Sequence, residues 1–352
     1  MHLEINRSDI TTVDMVDTVA PTDAPRESVV VQLDMFALTS NNVSYAVAGD
    51  FLDYWGFFPA SQPGWGRLPV MGFGTVTSSD VAGVEIGSRW FGFYPAGDHH
   101  VLQPVVRNGG MVDMAEHRAG HAPAYRQFDA ADPAASEEDE AYHLLLRGLF
   151  ITSHLCEDFL RDNAMFGAEQ VLVTSASSKT SLALAHELRV QGSARSIGLT
   201  SARNLEFVLG TGLYDEVITY DELEALPVVP SVVVDMAGNS DVLRRVHEHF
   251  GPALGHSCRV GATHWDAGGA LHGLPGPEPQ FFFAPSQLVK RGKEWGREAM
   301  NERMQTALSV FATDARRWLH VERGVGAEAL LSTWSSLVSG TIDPAAGHVL
   351  SL

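Results

Sequence analysis

The densest group of residues able to do chemistry is TSASSKTS (174–181), where Ser175, Ser177, Ser178 and Thr180 surround a single cation, Lys179. Hydroxyls and an ammonium group at the start of a helix suit a phosphate. The first helix amides point outward there and the helix dipole favours negative charge. The competing reading is a run of serines that only caps a structural helix. A second group lies in GLTSARN (198–204), where a strand ends in Ser201 and Arg203 rather than Asp or Glu. A carboxylate at that point would grip a ribose 2′-hydroxyl; a hydroxyl and a guanidinium suit a 2′-phosphate instead. This favours NADP(H) over NAD, against the alternative of a surface arginine that merely opens the next helix.

Further candidates sit at strand ends downstream. Asp235 follows VVV, and Thr263, His264 and Trp265 follow the strand SCRVGA. Asp235 either caps a helix or buttresses the nicotinamide side. Thr263 is assigned to the cofactor, and His264 and Trp265 to the substrate side or to packing.

In the N-terminal part, SNNVSYAVAGD (40–50) carries Asn41, Asn42 and Tyr45. A tyrosine can donate a proton or polarise a carbonyl, so Tyr45 is the candidate catalytic group, with Asn42 orienting the oxygen. The alternative is a turn with a packed tyrosine. Trp55, Phe57, Phe58, Trp65 and Arg67 would form an apolar cleft wall with one cation. Trp55, Trp65 and Arg67 are taken as substrate-binding. His99 and His100 lack partner thiols or a carboxylate at a metal-ligand spacing, so no metal is expected.

These residues need elements to hold them. VLVTS (171–175), SIGLTS (196–201), EVITY (216–220), SVVVDMAG (231–238), SCRVGA (257–262) and FFFAP (281–285) read as strands. SSKTSLALAHELRV (177–190), ARNLEFVLGTG (202–212) and DVLRRVHEHF (241–250) read as helices. Strands alternating with helices at this spacing imply βαβ units and a parallel sheet. Upstream, VVVQLDMF (29–36) and the glycine-punctuated runs from Trp65 to Gln103 form a β-rich region. DAADPAASEEDE (129–140) reads as a solvated linker, Leu144 to Asn163 as a helix, about Ser286 to Leu319 as helical, and HVLSL as a closing strand.

Composition sets limits on partners. The 352 residues carry a formal net charge of −19, with 45% hydrophobic residues. An acidic chain repels nucleic acid and anionic membranes, so a small molecule is the expected ligand. Cys156 and Cys258 cannot make a disulfide framework or a four-thiolate zinc site. No signal peptide is visible and no apolar stretch reaches about 18 residues, which makes the cytoplasm the expected location.

The order of these parts resembles the medium-chain dehydrogenase/reductase superfamily in its zinc-free, quinone-reductase-like branch. More closely, SNNVSYAVAGD, WGRLPVMGFGTV, HHVLQP, SASSKT, GLTSARN, YDEVITYDEL, VVVDMAG and VGATHW resemble a bacterial and fungal domain-of-unknown-function family allied to that superfamily. The resemblance implies an α/β fold, with a Rossmann-type parallel sheet domain over 144–311 and a β-rich GroES-like substrate domain from 1–143 and 312–352. It implies NADPH-dependent reduction of an activated C=C or carbonyl, of enone or quinone type and possible in secondary metabolism. It places Asn42 and Tyr45 near the substrate, and makes 281–285 an edge strand joining a homodimer. The glycine fingerprint of the family turn is missing, as are the catalytic zinc ligands and the four-cysteine lobe. Two other readings share the fold: a nucleotide-binding lyase or isomerase without net redox, and a non-catalytic NADP(H) sensor.

Overall fold

A computed structural model describes residues 1–107, 109–236, 238–260 and 273–352. Two compact units divide the chain: Met1–Leu145 with Val321–Leu352, and Leu146–His320.

The second unit is built on a six-stranded sheet. Its strands are, in chain order, Gln170–Val173, Arg195–Thr200, Glu216–Thr219, Ser231–Asp235, Leu254–Arg259 and Gln280–Phe281. All neighbours pair in parallel, in the spatial order third, second, first, fourth, fifth, sixth. That is the strand order of a dinucleotide-binding sheet, and it reverses direction at the first strand. The central strands are near-continuous apolar runs because both faces are covered: Val171, Leu172, Val173, Val232, Val233 and Val234 are fully buried. Helices Lys179–Gln191 and Leu205–Thr211 end on Gly192 and Gly212, at φ 60° and 63°, where a side chain would be strained. Cys156 and Cys258 are free thiols inside this core, with Sγ atoms 4.0 Å apart.

The first unit is β-rich. A nine-stranded sheet has Val29–Leu38 near its centre, flanked by Pro69–Ser79 and by the closing strand Ala346–Ser351. The closing strand runs antiparallel, with His348 opposite Leu38 and Leu350 opposite Phe36. A three-stranded sheet of His2–Asn6, Asp9–Val16 and Trp65–Arg67 completes the unit. No helix among the described residues is long and apolar enough to cross a membrane.

Three sequence expectations are corrected. The acidic stretch 129–140 is not a linker: Gln127–Ala130 is a strand, and Glu137 opens the long helix Glu137–Asp162. Its acidic first turn is favoured by the helix dipole, and Ser136 and Asp139 cap each other. Residues 40–47 are a helix rather than a turn. The strand expected over 281–285 is only Gln280–Phe281, because Ala284 and Pro285 begin the helix Ala284–Trp295. Proline is tolerated in a first helical turn, where its missing N–H would have no partner anyway.

Candidate functional site

In the second unit the serine-rich turn lies at the C-terminal end of the first strand, where the strand order reverses. Ser175 adopts φ 49°, a left-handed conformation that glycine usually supplies in such a turn. Its amide donates to the Tyr220 hydroxyl at 3.0 Å. The Ala176 amide donates to Leu199 O at 3.0 Å, and the Tyr214 hydroxyl donates to Ala176 O at 3.1 Å. Asn204 Nδ2 donates to Ser177 Oγ at 2.9 Å. The turn is therefore fastened to the second strand and to the segments following the second and third strands. Close approach comes from a glycine opposite the turn. A Cβ on Gly198 would lie 3.0 Å from both Ala176 Cβ and the Tyr214 ring.

Ser178 caps the helix, its hydroxyl oxygen accepting from Ser181 N at 3.1 Å. Lys179 and Thr180 form the first helical positions, where helix amides face outward. Ser201 follows the second strand, and Arg203 is exposed in the short helical turn Ala202–Asn204 after it. The structure thus groups Ser175, Ser177, Ser178, Lys179 and Thr180 on one turn, with Ser201 and Arg203 at the adjacent strand end. Tyr220, Tyr214, Asn204 and Gly198 were missed, since nothing local in the sequence marks their contacts with the turn.

Asp235 does not cap a helix; Asn239 does, accepting from Asp241 N and Val242 N at 3.0 and 3.2 Å. Asp235 is buried, and its Oδ1 accepts from Thr174 Oγ1 at 2.9 Å and Gly238 N at 3.0 Å. It locks the ends of the first and fourth strands together. Thr263, His264 and Trp265 lie outside the described residues.

In the first unit, Thr39 and Asn42 form a capping box at the start of the helix Ser40–Val47. Asn42 Oδ1 accepts from Thr39 N at 2.8 Å and its Nδ2 donates to Pro69 O at 2.9 Å. One end of this buried amide thus caps its own helix and the other ties the helix to the strand Pro69–Ser79. Asn41, its neighbour, faces Tyr45 and donates to the tyrosine oxygen at 2.7 Å. Tyr45 is partly buried, and desolvation pushes its hydroxyl well above the usual phenol range, with a further push from Tyr125.

Tyr45 packs on Tyr54, ring centres 4.4 Å apart, within a group that includes Phe57, Phe58, Phe93 and Tyr125. The hydroxyls of Tyr54 and Tyr125 lie 3.4 Å apart. Beneath them the buried Arg118 guanidinium stacks on Phe57 and Phe58 at 5.0 and 4.9 Å, donates to Tyr125 O and reaches Asp113 at 3.4 Å. A delocalised cation between two aromatic faces fixes both rings.

The expected cleft wall is redrawn accordingly. Trp55 belongs to the core: a Cβ on Gly49 or Gly66 would come within 2.1 or 2.2 Å of its ring. Arg67 is committed to the buried Glu4, at 3.0 Å, which also accepts from Ser61. Trp65 is a strand residue opposite Asn6. The aromatic group of this region is instead made of Tyr54, Phe57, Phe58 and Phe93, with Tyr45 and Tyr125 packed against it.

His100 packs edge-on to Phe58 at 4.9 Å and is held uncharged by burial. His99 bonds Asp98 at 2.5 Å, and with His2 these are the residues among those described whose ligand atoms cluster within 4.8 Å. Both His2 ring nitrogens are already engaged, Nε2 with His99 O and Nδ1 with Thr18 Oγ1, each at 2.7 Å.

No curated protein matches the chain. CurA from Vibrio vulnificus, solved in complex with NADPH, is 14% identical with a TM-score of 0.59, covering 97% of this chain and 93% of its own. The yhdH oxidoreductase from Salmonella enterica, in complex with NADP, is 14% identical with a TM-score of 0.56, covering 100% and 99%. The CurF ER cyclopropanase from the curacin A biosynthetic pathway is 15% identical with a TM-score of 0.61, covering 99% and 98%. At these identities the likeness is one of fold, that of the two-domain medium-chain dehydrogenases/reductases. A family profile described as "Protein of unknown function (DUF2855)" matches residues 36–343.

Proposed function

The chain belongs to the DUF2855 family, and on that footing we propose an NADPH-dependent reductase of an activated C=C or carbonyl in a small molecule, working without zinc. The observation that carries this reading is the fastened turn at 174–181, set where the parallel sheet reverses its order. Packed against the second strand at Gly198, the turn can present helix amides, Ser177 and Lys179 to a pyrophosphate. Ser201 and Arg203 would take the 2′-phosphate. Tyr220 joins them as a candidate: its oxygen accepts from the Ser175 amide and lies 3.5 Å from the Ser175 hydroxyl, which holds the phenol beside the turn.

NADPH, when bound, supplies the hydride. The protein's part is to bind, orient and polarise. Tyr45 polarises the substrate oxygen. Asn41 can only donate through Nδ2, so the Tyr45 oxygen is the acceptor and its hydrogen is aimed elsewhere. With its hydroxyl pushed above the usual range, Tyr45 keeps its proton and works as a hydrogen-bond donor to developing negative charge. Asn42 supports it by fixing the helix. Two copies joined along the edge strand Gln280–Phe281 belong to the same reading.

The test is NADPH consumption against a panel of enones and quinones. Oxidation of NADPH with a stoichiometric amount of the reduced product, a saturated ketone from an enone or a hydroquinone from a quinone, supports a reductase. A substrate converted with no NADPH consumed replaces it by a lyase or isomerase, and binding without any turnover replaces it by a sensor.

A further inference from the structure

Three tyrosine hydroxyls share one aromatic box, and their hydrogens can be counted. Tyr45, Tyr54 and Tyr125 bring three hydroxyl hydrogens into a group otherwise made of Phe57, Phe58, Phe93, Leu52 and Met71. Asn41 is the donor in its bond to Tyr45, which uses none of them. The Tyr54–Tyr125 contact at 3.4 Å uses one, whichever residue donates. Two hydrogens remain with no acceptor among the described residues. Tyrosine hydroxyls inside an apolar group ordinarily find a partner, because leaving one unpaired is unfavourable. Tyr54 is buried, whereas Tyr45 and Tyr125 are each partly exposed. Tyr125 also resists the ionisation of Tyr45.

We propose that Tyr125, backed by Tyr54, is a second donor of the substrate site and its specificity-determining residue. The substrate then carries a second acceptor oxygen a few atoms from the carbonyl that Tyr45 polarises. Tyr125 is held for this on both sides: Arg118 donates to its backbone oxygen, and Tyr54 meets its hydroxyl. A ligand with one acceptor leaves one hydroxyl unpaired, whereas a ligand with two satisfies both. A site built to hydrogen-bond a group rejects the analogue lacking it far more strongly than a site that only fits its shape.

The inference rests on the first unit being the substrate unit of the proposed reductase. Its test is calorimetric binding, which needs no turnover. A 3-keto ester is compared with the ketone of the same chain length, on the full chain saturated with NADP⁺, which has no hydride to give, so that neither ligand is consumed. The keto ester should bind about 10- to 100-fold more tightly, as expected for one added hydrogen bond in a partly buried site. Tyr125→Phe should bring the two affinities level. Equal affinities in the unaltered protein overturn the proposal, as does a preference that survives Tyr125→Phe. A preference that persists while no NADPH is consumed on any enone or quinone sinks the reductase reading alone.

Discussion

Asn41 and Tyr45 stand one helical turn apart, and the Asn41 amide donates to the Tyr45 hydroxyl oxygen at 2.7 Å. The bond fixes which way the phenol hydrogen can point. It also partly offsets the desolvation that keeps the phenol protonated. Tyr45→Phe should lower kcat by about 10²- to 10³-fold, the range for removing one preorganised donor to a developing oxyanion. Asn41→Leu should cost less, about tenfold, since the donor stays while its aim is loosened. Steady-state rates on one enone check both. Because Tyr45 stays protonated, the rate should show no loss from this group up to at least about pH 10, the ordinary phenol range. An alkaline fall near pH 8 that vanishes in Tyr45→Phe would make it a proton-transferring acid instead.

The second-strand end should set the choice of cofactor. Arg203→Ala should weaken NADPH by about 10- to 100-fold and leave NADH within about twofold, since only NADPH has the 2′-phosphate. Lys179→Ala should weaken both if it faces the pyrophosphate. Fluorescence titration of each variant with both nucleotides separates the two positions.

Ser175 should be strained. At φ 49° a side chain costs roughly 1–2 kcal/mol relative to glycine, offset by about 0.5–1 kcal/mol for the extra freedom of an unfolded glycine. Ser175→Gly should therefore change stability by about 0–1.5 kcal/mol, in the stabilising direction. Ser175→Val should destabilise by about 2 kcal/mol or more, because a β-branched residue resists this conformation. Urea unfolding measures both, and a destabilised glycine variant would point to a structural role for the Ser175 hydroxyl.

His2 should make the fold sensitive to acid. Burial, with the Arg67 charge next, lowers its pKa from 6.5 to about 4. Between these values the unfolded chain binds the proton and the folded chain does not, so stability is complete above pH 6.5 and falls as pH drops toward 4. The loss attributable to His2 is on the order of 3 kcal/mol. His2→Gln should flatten that part of the stability–pH curve. A slope unchanged in the variant would assign it to other histidines held neutral by burial, such as His247.

The parallel sheet was legible in the sequence because its signal is local. Val171 to Val173 and Val232 to Val234 are apolar runs bounded by turn residues, and the helices between them end on glycine. The cofactor turn was legible in residue type but not in how it is held. Gly198 lies across the sheet from Ala176, and Tyr220 is 45 residues from the amide it anchors. Trp55 and Arg67 look like a cleft wall in one dimension. Their fate depends on Gly49 and Gly66 making room for an indole and on Glu4, 63 residues from Arg67, needing a cation. Tyr54 and Tyr125 meet across 71 residues, a pairing that no spacing rule encodes. The acidic stretch misled because composition outweighed the Ser136–Asp139 cap that turns Glu137–Glu140 into a helix start.

The central claim is that the 174–181 turn binds NADP(H), and parallel titrations of the unaltered protein with NADPH and NADH, following nicotinamide fluorescence, test it most directly. Saturable binding of NADPH, at least about tenfold tighter than NADH and weakened in Arg203→Ala, is the predicted result. Absence of binding by either nucleotide would contradict the account, and tighter binding of NADH would overturn the role given to Ser201 and Arg203.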